Sequence, residues 1–191
     1  MKSTMITGLA AILLLAISCT KENITRTSSA ATQSTVKALT FTIGQHYGGG
    51  IIFYIDTTGQ HGLIADTADL KPSRWKNKSY TLTGATATRI GSGKSNTRKI
   101  VLSQGDSGIL YAARRCRRYK GSGYTDWFLP SKDELNELYK QRSVVGGFTS
   151  NLYWSSSEYD KGFAWFQNFD NGAQTFDYKN MFYYVRAVRA F

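Results

Sequence analysis

The sequence predicts an α+β domain in which two helices pack on an antiparallel β-sheet, with one long irregular loop between strands and helices. Aromatic residues are abundant, with 12 Tyr, 10 Phe and 4 Trp against only 2 Pro, and this composition favours strands. Apolar runs joined by hairpin-type connections stand towards both ends of the chain. Between them, apolar residues recur at helical spacing. The 191 residues are enough for one domain with a sizeable core.

The first 18 residues have the pattern of a lipoprotein signal peptide. Lys2 precedes an apolar run over 9–17, and Cys19 follows it closely. The run is shorter than the roughly 20 residues that a membrane span needs, which is typical of a cleaved export signal. A cysteine directly after Ala-Ile-Ser resembles bacterial lipoprotein signals, in which that cysteine is acylated and becomes the first mature residue. The alternative is a buried N-terminal helix with an incidental cysteine.

Residues 19–40 predict a flexible tether. Ser, Thr and Ala dominate this segment and large apolar residues are nearly absent, so it buries too little surface to offset its chain entropy. Lys21 and Glu22 resemble the charged export signals of surface lipoproteins in Bacteroidota. We therefore expect a protein held at the outer membrane by acyl chains such as palmitate, displayed at the cell surface or facing the periplasm.

The predicted domain covers residues 41–191. The formal net charge of the chain is +11. This charge favours acidic partners such as sulfated or uronic polysaccharide or lipid headgroups, and general solubility explains it equally well. We expect no nucleic-acid partner for an exported lipoprotein. Once Cys19 is acylated, Cys116 is the other cysteine, so no intramolecular disulfide is predicted and Cys116 is expected to be a buried free thiol.

The first predicted element of the domain is a β-hairpin, and a long loop follows it. Two apolar runs, 51–55 and 63–65, flank the sequence Asp-Thr-Thr-Gly-Gln, a connection typical of a hairpin. Residues 67–99 have little periodicity and one apolar anchor, Trp75. We expect them to form a structured but irregular loop, and loops of this length usually carry function or stay mobile.

The segment GSGKS at 91–95 within this loop is similar to a phosphate-binding loop. That motif requires glycine five residues before the Gly-Lys pair, and Thr88 stands there instead. No strong predicted strand leads into the segment. Nucleotide binding is therefore not expected.

Two helices are predicted after the loop. The first, over 100–119, has four apolar residues at helical spacing: Ile109, Ala112, Ala113 and Cys116. Gly121 and Gly123 are expected to end it. The second helix begins at Ser131, because Ser131 and Glu134 form the capping-box pattern, in which a hydroxyl and a carboxylate bond to free backbone N–H groups. The residues before this start, Trp127, Phe128 and Leu129, are predicted to fill the core.

The C-terminal part is predicted to be β-structure. Strand-forming residues are concentrated in 153–154, 163–169, 173–178 and 182–190. Asp170-Asn171-Gly172 has the composition of a tight hairpin connection. Arg186 and Arg189 interrupt the last strand. Either one of them is buried with a carboxylate partner such as Glu158, or both face solvent.

Several of these motifs, in this order, resemble the Lcl C-terminal domain family and, more distantly, the Fibrobacter major paralogous domain. They are GGGIIFYID at 48–56, HGLIA at 61–65, GSGKSNT at 91–97, GYTDWFLPSKDELNELY at 123–139, YWSSSE at 153–158, the AW-x-x-x-F-x-x-G run at 164–172 and YYVRAVRAF at 183–191. The resemblance implies an α+β domain related to the C-type lectin-like fold. It also implies an adhesin module that binds sulfated glycosaminoglycans, as in the namesake of the family. It supplies no catalytic residue. The chain lacks the Glu-Pro-Asn, Gln-Pro-Asp and Trp-Asn-Asp triplets of calcium-dependent lectins, so calcium-dependent sugar binding is not expected.

The candidate ligand-binding residues are basic or aromatic: Arg114, Arg117, Arg118, Lys94, Arg98 and Trp75. The three arginines share one side of the predicted first helix, and the planar guanidinium group suits sulfate and carboxylate. The two residues from the loop extend this basic cluster. The tryptophan is a candidate for stacking on a sugar face, and the alternative is that it fills the core. A solvated helix face without a ligand is the alternative interpretation of the arginine cluster.

We therefore expect a surface-anchored lipoprotein whose domain binds an acidic or sulfated glycan, or another extracellular ligand, without catalysis, cofactor or metal. A structural or assembly module of an envelope protein complex is the second hypothesis. A hydrolase is the third, with His46, His61 and Glu158 as its candidate residues. Both histidines flank strands near glycines, and the serines beside Glu158 lack the glycines of a nucleophile elbow. The sequence does not indicate an oligomeric state.

Overall fold

A computed structural model of the chain describes residues 39–191. The predicted signal peptide, Cys19 and nearly all of the predicted tether lie outside the described residues. The strands are β1 (His46–Tyr47), β2 (Gly50–Ile55), β3 (Gly62–Ala65), β4 (Leu70–Ser73), β5 (Leu152–Glu158), β6 (Phe163–Asn168), β7 (Gln174–Tyr178), β8 (Tyr183–Val185) and β9 (Val188–Ala190). The helices are α1 (Gly93–Gln104), α2 (Ala112–Arg118), α3 (Lys132–Lys140) and α4 (Arg142–Val145), with a 3-10 turn at Gly121–Gly123. Within the described part of the chain, every helix is too short or too polar to cross a bilayer.

The strands form two sheets. The first has the order β1-β2-β3-β9 and the second the order β4-β8-β5-β6-β7. Neighbouring strands are antiparallel except β5 and β8, which run parallel where Tyr153 lies opposite Tyr184. The α+β class is therefore as predicted. The architecture differs in detail, because the described residues contain four helices rather than two and two sheets rather than one.

Both predicted hairpins are present, and short-range hydrogen bonds explain each of them. In the first, Ile52 lies opposite Ile64, and the carboxylate of Asp56 accepts from the backbone N–H of Thr58 at 3.1 Å. In the second, Trp165 lies opposite Phe176. In its connection, the side-chain oxygens of Asn168 and Asn171 each accept a hydrogen bond from the backbone N–H group two residues further on. Asp and Asn favour turns through such local bonds, so the sequence alone determines these connections.

The predicted helix over 100–119 is in fact two helices, α1 and α2. The first begins at Gly93, inside the predicted irregular loop, which also contains β4. It ends at Gln104, because the next residue, Gly105, has a φ of +83° that lies outside the helical region. Gly108 has a φ of +80°. A left-handed conformation at these glycines interrupts a right-handed helix. Ile109 consequently lies in the connection and is exposed, whereas the other members of the predicted apolar stripe are buried.

The predicted last strand over 182–190 is divided between the two sheets. Its first part is β8 and its last part is β9, and Arg186 lies at the break with 1% of its surface exposed. The Arg186 Nε atom donates to Asp69 Oδ1 at 2.8 Å, and its Nη atoms donate to three backbone carbonyls. The predicted partner Glu158 is wrong, because that carboxylate pairs with Lys179 instead. Arg189 pairs with Asp126.

The corner before α3 is built as predicted. Trp127, Phe128 and Leu129 are buried. Ser131 and Glu134 form the capping box, with the Ser131 N–H donating to Glu134 Oε2 at 2.7 Å and the Glu134 N–H donating to Ser131 Oγ at 3.3 Å. Cys116 is a buried free thiol, as predicted. Burial raises the pKa of its thiol well above the ordinary value, so the reactive thiolate form is disfavoured.

Candidate ligand-binding cleft

An open cleft of about 800 Å³ lies between α1 and the segment 125–128, and we refer to it as the cleft. Three of the predicted binding residues line it together: Lys94 and Arg98 from α1, and Arg117 from α2. The exposed side chain of Leu102 and the aromatic residues Trp127 and Phe128 provide its apolar surface. The cleft therefore combines basic side chains with an apolar wall.

The helical repeat explains how α1 presents this surface. Lys94, Arg98 and Leu102 are each four residues apart, so they form one stripe along α1. All three are exposed. The opposite side of the helix is buried through Thr97, Ile100 and Val101. The sequence of α1 thus separates one face that packs in the core from another that is available to a ligand.

The net charge of the cleft is positive. Within residues 39–191, Lys94, Arg98 and Arg117 form no ion pair with a carboxylate. The one carboxylate among the lining residues is Asp126, which receives hydrogen bonds from Arg189 Nε at 2.8 Å and Nη2 at 3.0 Å. These bonds lower the pKa of the Asp126 carboxyl. Arg189 therefore compensates this negative charge, and the three unpaired cations dominate the field inside the cleft.

A second depression of about 350 Å³ adjoins the cleft, and we refer to it as the side depression. Its lining residues are Asp106, Arg117, Arg118, Tyr119, Lys120 and Thr125. Arg117 and Thr125 line both spaces. Arg118 points its Nη1 atom towards Asp106 Oδ1 at 3.8 Å and keeps 56% of its side chain exposed. The predicted residues Arg117 and Arg118 are thus both accessible, with Arg117 at the junction between the two spaces and Arg118 in the side depression.

Arg114 does not belong to this surface, and its prediction as a binding residue is wrong. Its side chain is 8% exposed, and Nε donates to Asp106 Oδ1 at 3.1 Å. Its Nη atoms donate to the backbone carbonyls of Asp106, Gly108 and Ile109. The reason is the late start of α2 at Ala112, which places Arg114 beside the carbonyl groups of the preceding connection. Arg114 therefore stabilises the connection before α2, next to the side depression.

Trp75 also lies away from any accessible surface, and its prediction as a sugar-stacking residue is wrong. It is fully buried. Its indole N–H donates to the backbone carbonyl of Ser155 at 2.8 Å, and the Lys179 ammonium lies 4.7 Å from the ring centroid. A single large apolar residue in a polar stretch is typical of an anchor to the core, so the sequence already contained an indication that Trp75 is buried.

The GSGKS segment at 91–95 leads into α1, but its backbone N–H groups donate hydrogen bonds to a carboxylate of the protein itself. The N–H groups of Gly91 and Gly93 donate to Glu134 Oε1 at 2.8 and 3.3 Å. A Cβ atom at Gly93 would overlap the Glu134 carboxylate, so this close approach requires glycine. A negative charge is favourable at the N-terminus of a helix, and Glu134 provides it for α1.

The candidate hydrolase residues do not line one common accessible space. The Glu158 carboxylate is buried, and it accepts hydrogen bonds from Lys179 Nζ at 2.6 Å and from the N–H groups of Thr83 and Gly84. It is therefore inaccessible to a substrate. His46 and His61 are exposed and line two different shallow depressions. Across residues 39–191, no three His, Cys, Asp or Glu side chains are grouped in a way that could hold a metal ion.

An aromatic cluster on β6, β7 and the turn before them was missed by sequence reasoning. It consists of Tyr159, Phe163, Trp165, Phe176 and Tyr178. Tyr159 and Phe176 stack with centroids 3.8 Å apart, and both are exposed. The signal was the alternation in β6, where Phe163 and Trp165 alternate with the buried residues Ala164 and Phe166. This cluster forms a partly exposed apolar surface on the second sheet.

Comparison with known proteins identifies a family for most of the described chain. A family model described as the Lcl C-terminal domain matches residues 67–189. Among solved structures, the chain is similar to a fimbrial protein from Bacteroides ovatus ATCC 8483, with 17% sequence identity and a TM-score of 0.47. That match covers 73% of this chain and 43% of the fimbrial protein, so it spans less than half of the latter. No curated protein sequence matches the chain.

Proposed function

Since the chain belongs to the Lcl C-terminal domain family, we propose that its domain is a non-catalytic binding module that recognises an acidic or sulfated glycan at the cleft. The observation that carries this proposal is the convergence of Lys94, Arg98 and Arg117, from two helices, on one open space. Guanidinium and ammonium groups bind sulfate and carboxylate. The exposed side chain of Leu102 offers apolar contact to the ring carbons of a sugar. A relation to the C-type lectin-like fold is part of the same proposal.

The affinity for heparin tests this function. Replacing Lys94, Arg98 and Arg117 together by Gln is expected to weaken heparin binding about 10- to 100-fold, because exposed charge contacts contribute about 0.5–1 kcal/mol each. Binding of the unmodified protein should also weaken steeply as salt is added. Isothermal titration calorimetry at several salt concentrations measures both effects.

The matched control replaces Lys71, Lys78 and Lys161 by Gln. These residues are exposed and do not line the cleft. The control variant therefore removes the same number of positive charges, but away from the proposed site. Equal losses in the two triple variants would mean that heparin senses only overall charge, and the proposal would be wrong. Heparin binding that neither variant changes would contradict a site at the cleft, and no binding by the unmodified protein would favour the second hypothesis, a module of an envelope protein complex. The exposed aromatic cluster would then be its candidate docking surface.

Attachment to the outer membrane through Cys19 is a further part of the proposal. It is supported by the apolar run over 9–17 and by the small residue that precedes the cysteine. Cells fed with an alkyne analogue of palmitate are expected to label the protein, and the Cys19→Ala variant should remain unlabelled. Cys116→Ala is the control, because the buried thiol of Cys116 is not available for acylation. Labelling that survives Cys19→Ala would exclude this anchor.

A further inference from the structure

We infer that the affinity of the site depends on the length of its ligand, because a bound polyanion extends from the cleft past Arg117 into the side depression. The ligand is then a linear acidic polysaccharide that is longer than a disaccharide and carries anionic groups at repeated positions. This inference rests on the proposed function, since it specifies the ligand of the same cleft.

The first argument is the continuity of the two spaces. Arg117 and Thr125 line both the cleft and the side depression. Arg117 is exposed and forms no ion pair with a carboxylate among residues 39–191. No ion pair of Arg117 therefore has to be broken when a ligand that contacts this residue in the cleft continues into the side depression.

The second argument is the distribution of cations along this path. Lys94 and Arg98 lie at one end, on successive turns of α1 that are about 6 Å apart along the helix axis. Arg118 and Lys120 lie at the other end, beyond Arg117. A ligand with one sulfate or carboxylate group offers a single negative charge to these cations. Cations at both ends are engaged together when the ligand presents several anionic groups along a chain.

The third argument concerns the carboxylate of Asp106, the negative group in the side depression. Its Oδ1 atom already accepts from Arg114 Nε at 3.1 Å, and Arg114 is held in place by three backbone carbonyls. The contact from Arg118 to the same oxygen is longer, at 3.8 Å, and exposed. An exposed ion pair of this kind contributes little, so Arg118 is free to turn towards a ligand while Arg114 neutralises Asp106.

The fourth argument separates a polymer from a compact polyphosphate. Compact phosphates are held by backbone N–H groups at the start of a helix. Here the N–H groups of Gly91 and Gly93 bind Glu134 instead. The path therefore offers cations on long side chains, which suit anionic groups that are spaced along a chain.

Heparin-derived fragments of increasing length test the inference. We expect the affinity of the unmodified protein to rise about tenfold from disaccharide to octasaccharide, as two further exposed charge contacts are made. The side variant, Arg118→Gln with Lys120→Gln, is expected to lose this increase and to keep its affinity for the disaccharide. The cleft variant, Lys94→Gln with Arg98→Gln, should bind every fragment more weakly. Calorimetry gives the affinities, and thermal unfolding confirms that both variants are folded.

The outcomes distinguish this inference from the proposed function. If the side variant keeps the full increase with length, or if the unmodified protein binds all fragments equally, the inference is overturned while glycan binding at the cleft stands. If no fragment binds the unmodified protein, the proposed function fails, and the inference fails with it. Loss of the length increase in the side variant alone supports both.

Discussion

Lys179→Met is expected to lower the free energy of unfolding by about 3–5 kcal/mol, because it leaves Glu158 charged and unpaired in the interior. The side chains of both residues are 0% exposed, and Lys179 Nζ lies 2.6 Å from Glu158 Oε1. The ammonium group also donates to the backbone carbonyls of Thr81 and Lys161 at 3.1 and 3.0 Å. Burial lowers the pKa of Lys179, and its bond to Glu158 opposes this shift.

The same ion pair fixes part of the long connection between β4 and α1. The Glu158 carboxylate accepts from the backbone N–H groups of Thr83 and Gly84, so removing the charge partner also disturbs this segment. Urea unfolding followed by circular dichroism measures the loss of stability. Lys140→Met is the matched control, because Lys140 pairs with Glu137 at 2.7 Å on the surface, with 55% of its side chain exposed.

The control is expected to cost no more than about 0.5 kcal/mol, as is usual for exposed pairs on a helix. Adding Glu158→Gln to Lys179→Met should recover part of the lost stability, because the uncompensated buried charge is then removed. A Lys179→Met variant as stable as the Lys140→Met variant would show that the interior tolerates the Glu158 charge, contrary to this account.

Glu134→Ala is expected to lower the free energy of unfolding by about 2–4 kcal/mol, because buried N–H groups lose their acceptor and α3 loses half of its capping box. The carboxylate accepts from Gly91 and Gly93 at the start of α1 and from Ser131 at the start of α3. It thus joins the two helix N-termini. Since α1 carries Lys94 and Arg98, heparin affinity should fall as well.

Glu137→Ala is the control for this variant, since Glu137 lies on the same helix and, among residues 39–191, forms its ion pair with the exposed Lys140 alone. It should change stability by no more than about 0.5 kcal/mol. A loss for Glu134→Ala no larger than this would mean that the two helix ends are held together by other contacts.

The Glu134 carboxyl also predicts a dependence of stability on pH. Burial raises its pKa above the ordinary value of 4.5, although bonds from Ser131, Gly93 and Gly91 oppose the shift. The folded state then binds its proton more tightly than the unfolded state, so the contribution of this group is largest below pH 4.5 and falls as pH rises through the folded pKa. Glu134→Gln lacks this titration. The difference in unfolding free energy between the unmodified protein and Glu134→Gln should therefore decrease as pH is raised, and a difference that grows instead would contradict this sign.

The features that the sequence determined by itself are those built by residues close together in the chain. The connection after β2, the turn between β6 and β7 and the capping box of α3 each depend on side chains that bond to backbone two or three residues away. The burial of Trp127, Phe128 and Leu129 follows from their apolar surface. The order of motifs indicated the family, which the family model confirms over residues 67–189.

The placement of the candidate binding residues was predictable only in part. Lys94, Arg98 and Arg117 were proposed from charge and spacing, and the fold brings them to one cleft. Arg114 has the same charge and stands three residues before Arg117, yet it is buried against the carbonyls of its own connection. Both arginines lie in α2, as their helical spacing predicted. The glycines at 105 and 108 interrupt the predicted helix before α2, and this brings the carbonyl groups of the connection against Arg114.

The sequence by itself therefore determined the class of the domain, its local turns and caps, its family and its basic character. Only the tertiary structure decided which charges are paired inside and which are free at the surface, as the partners of Lys179, Arg186 and Glu134 show. The physical reason is that turns and caps are satisfied by neighbours in the chain. The partner of a buried charge is instead whichever group the packing of distant segments brings within hydrogen-bonding distance.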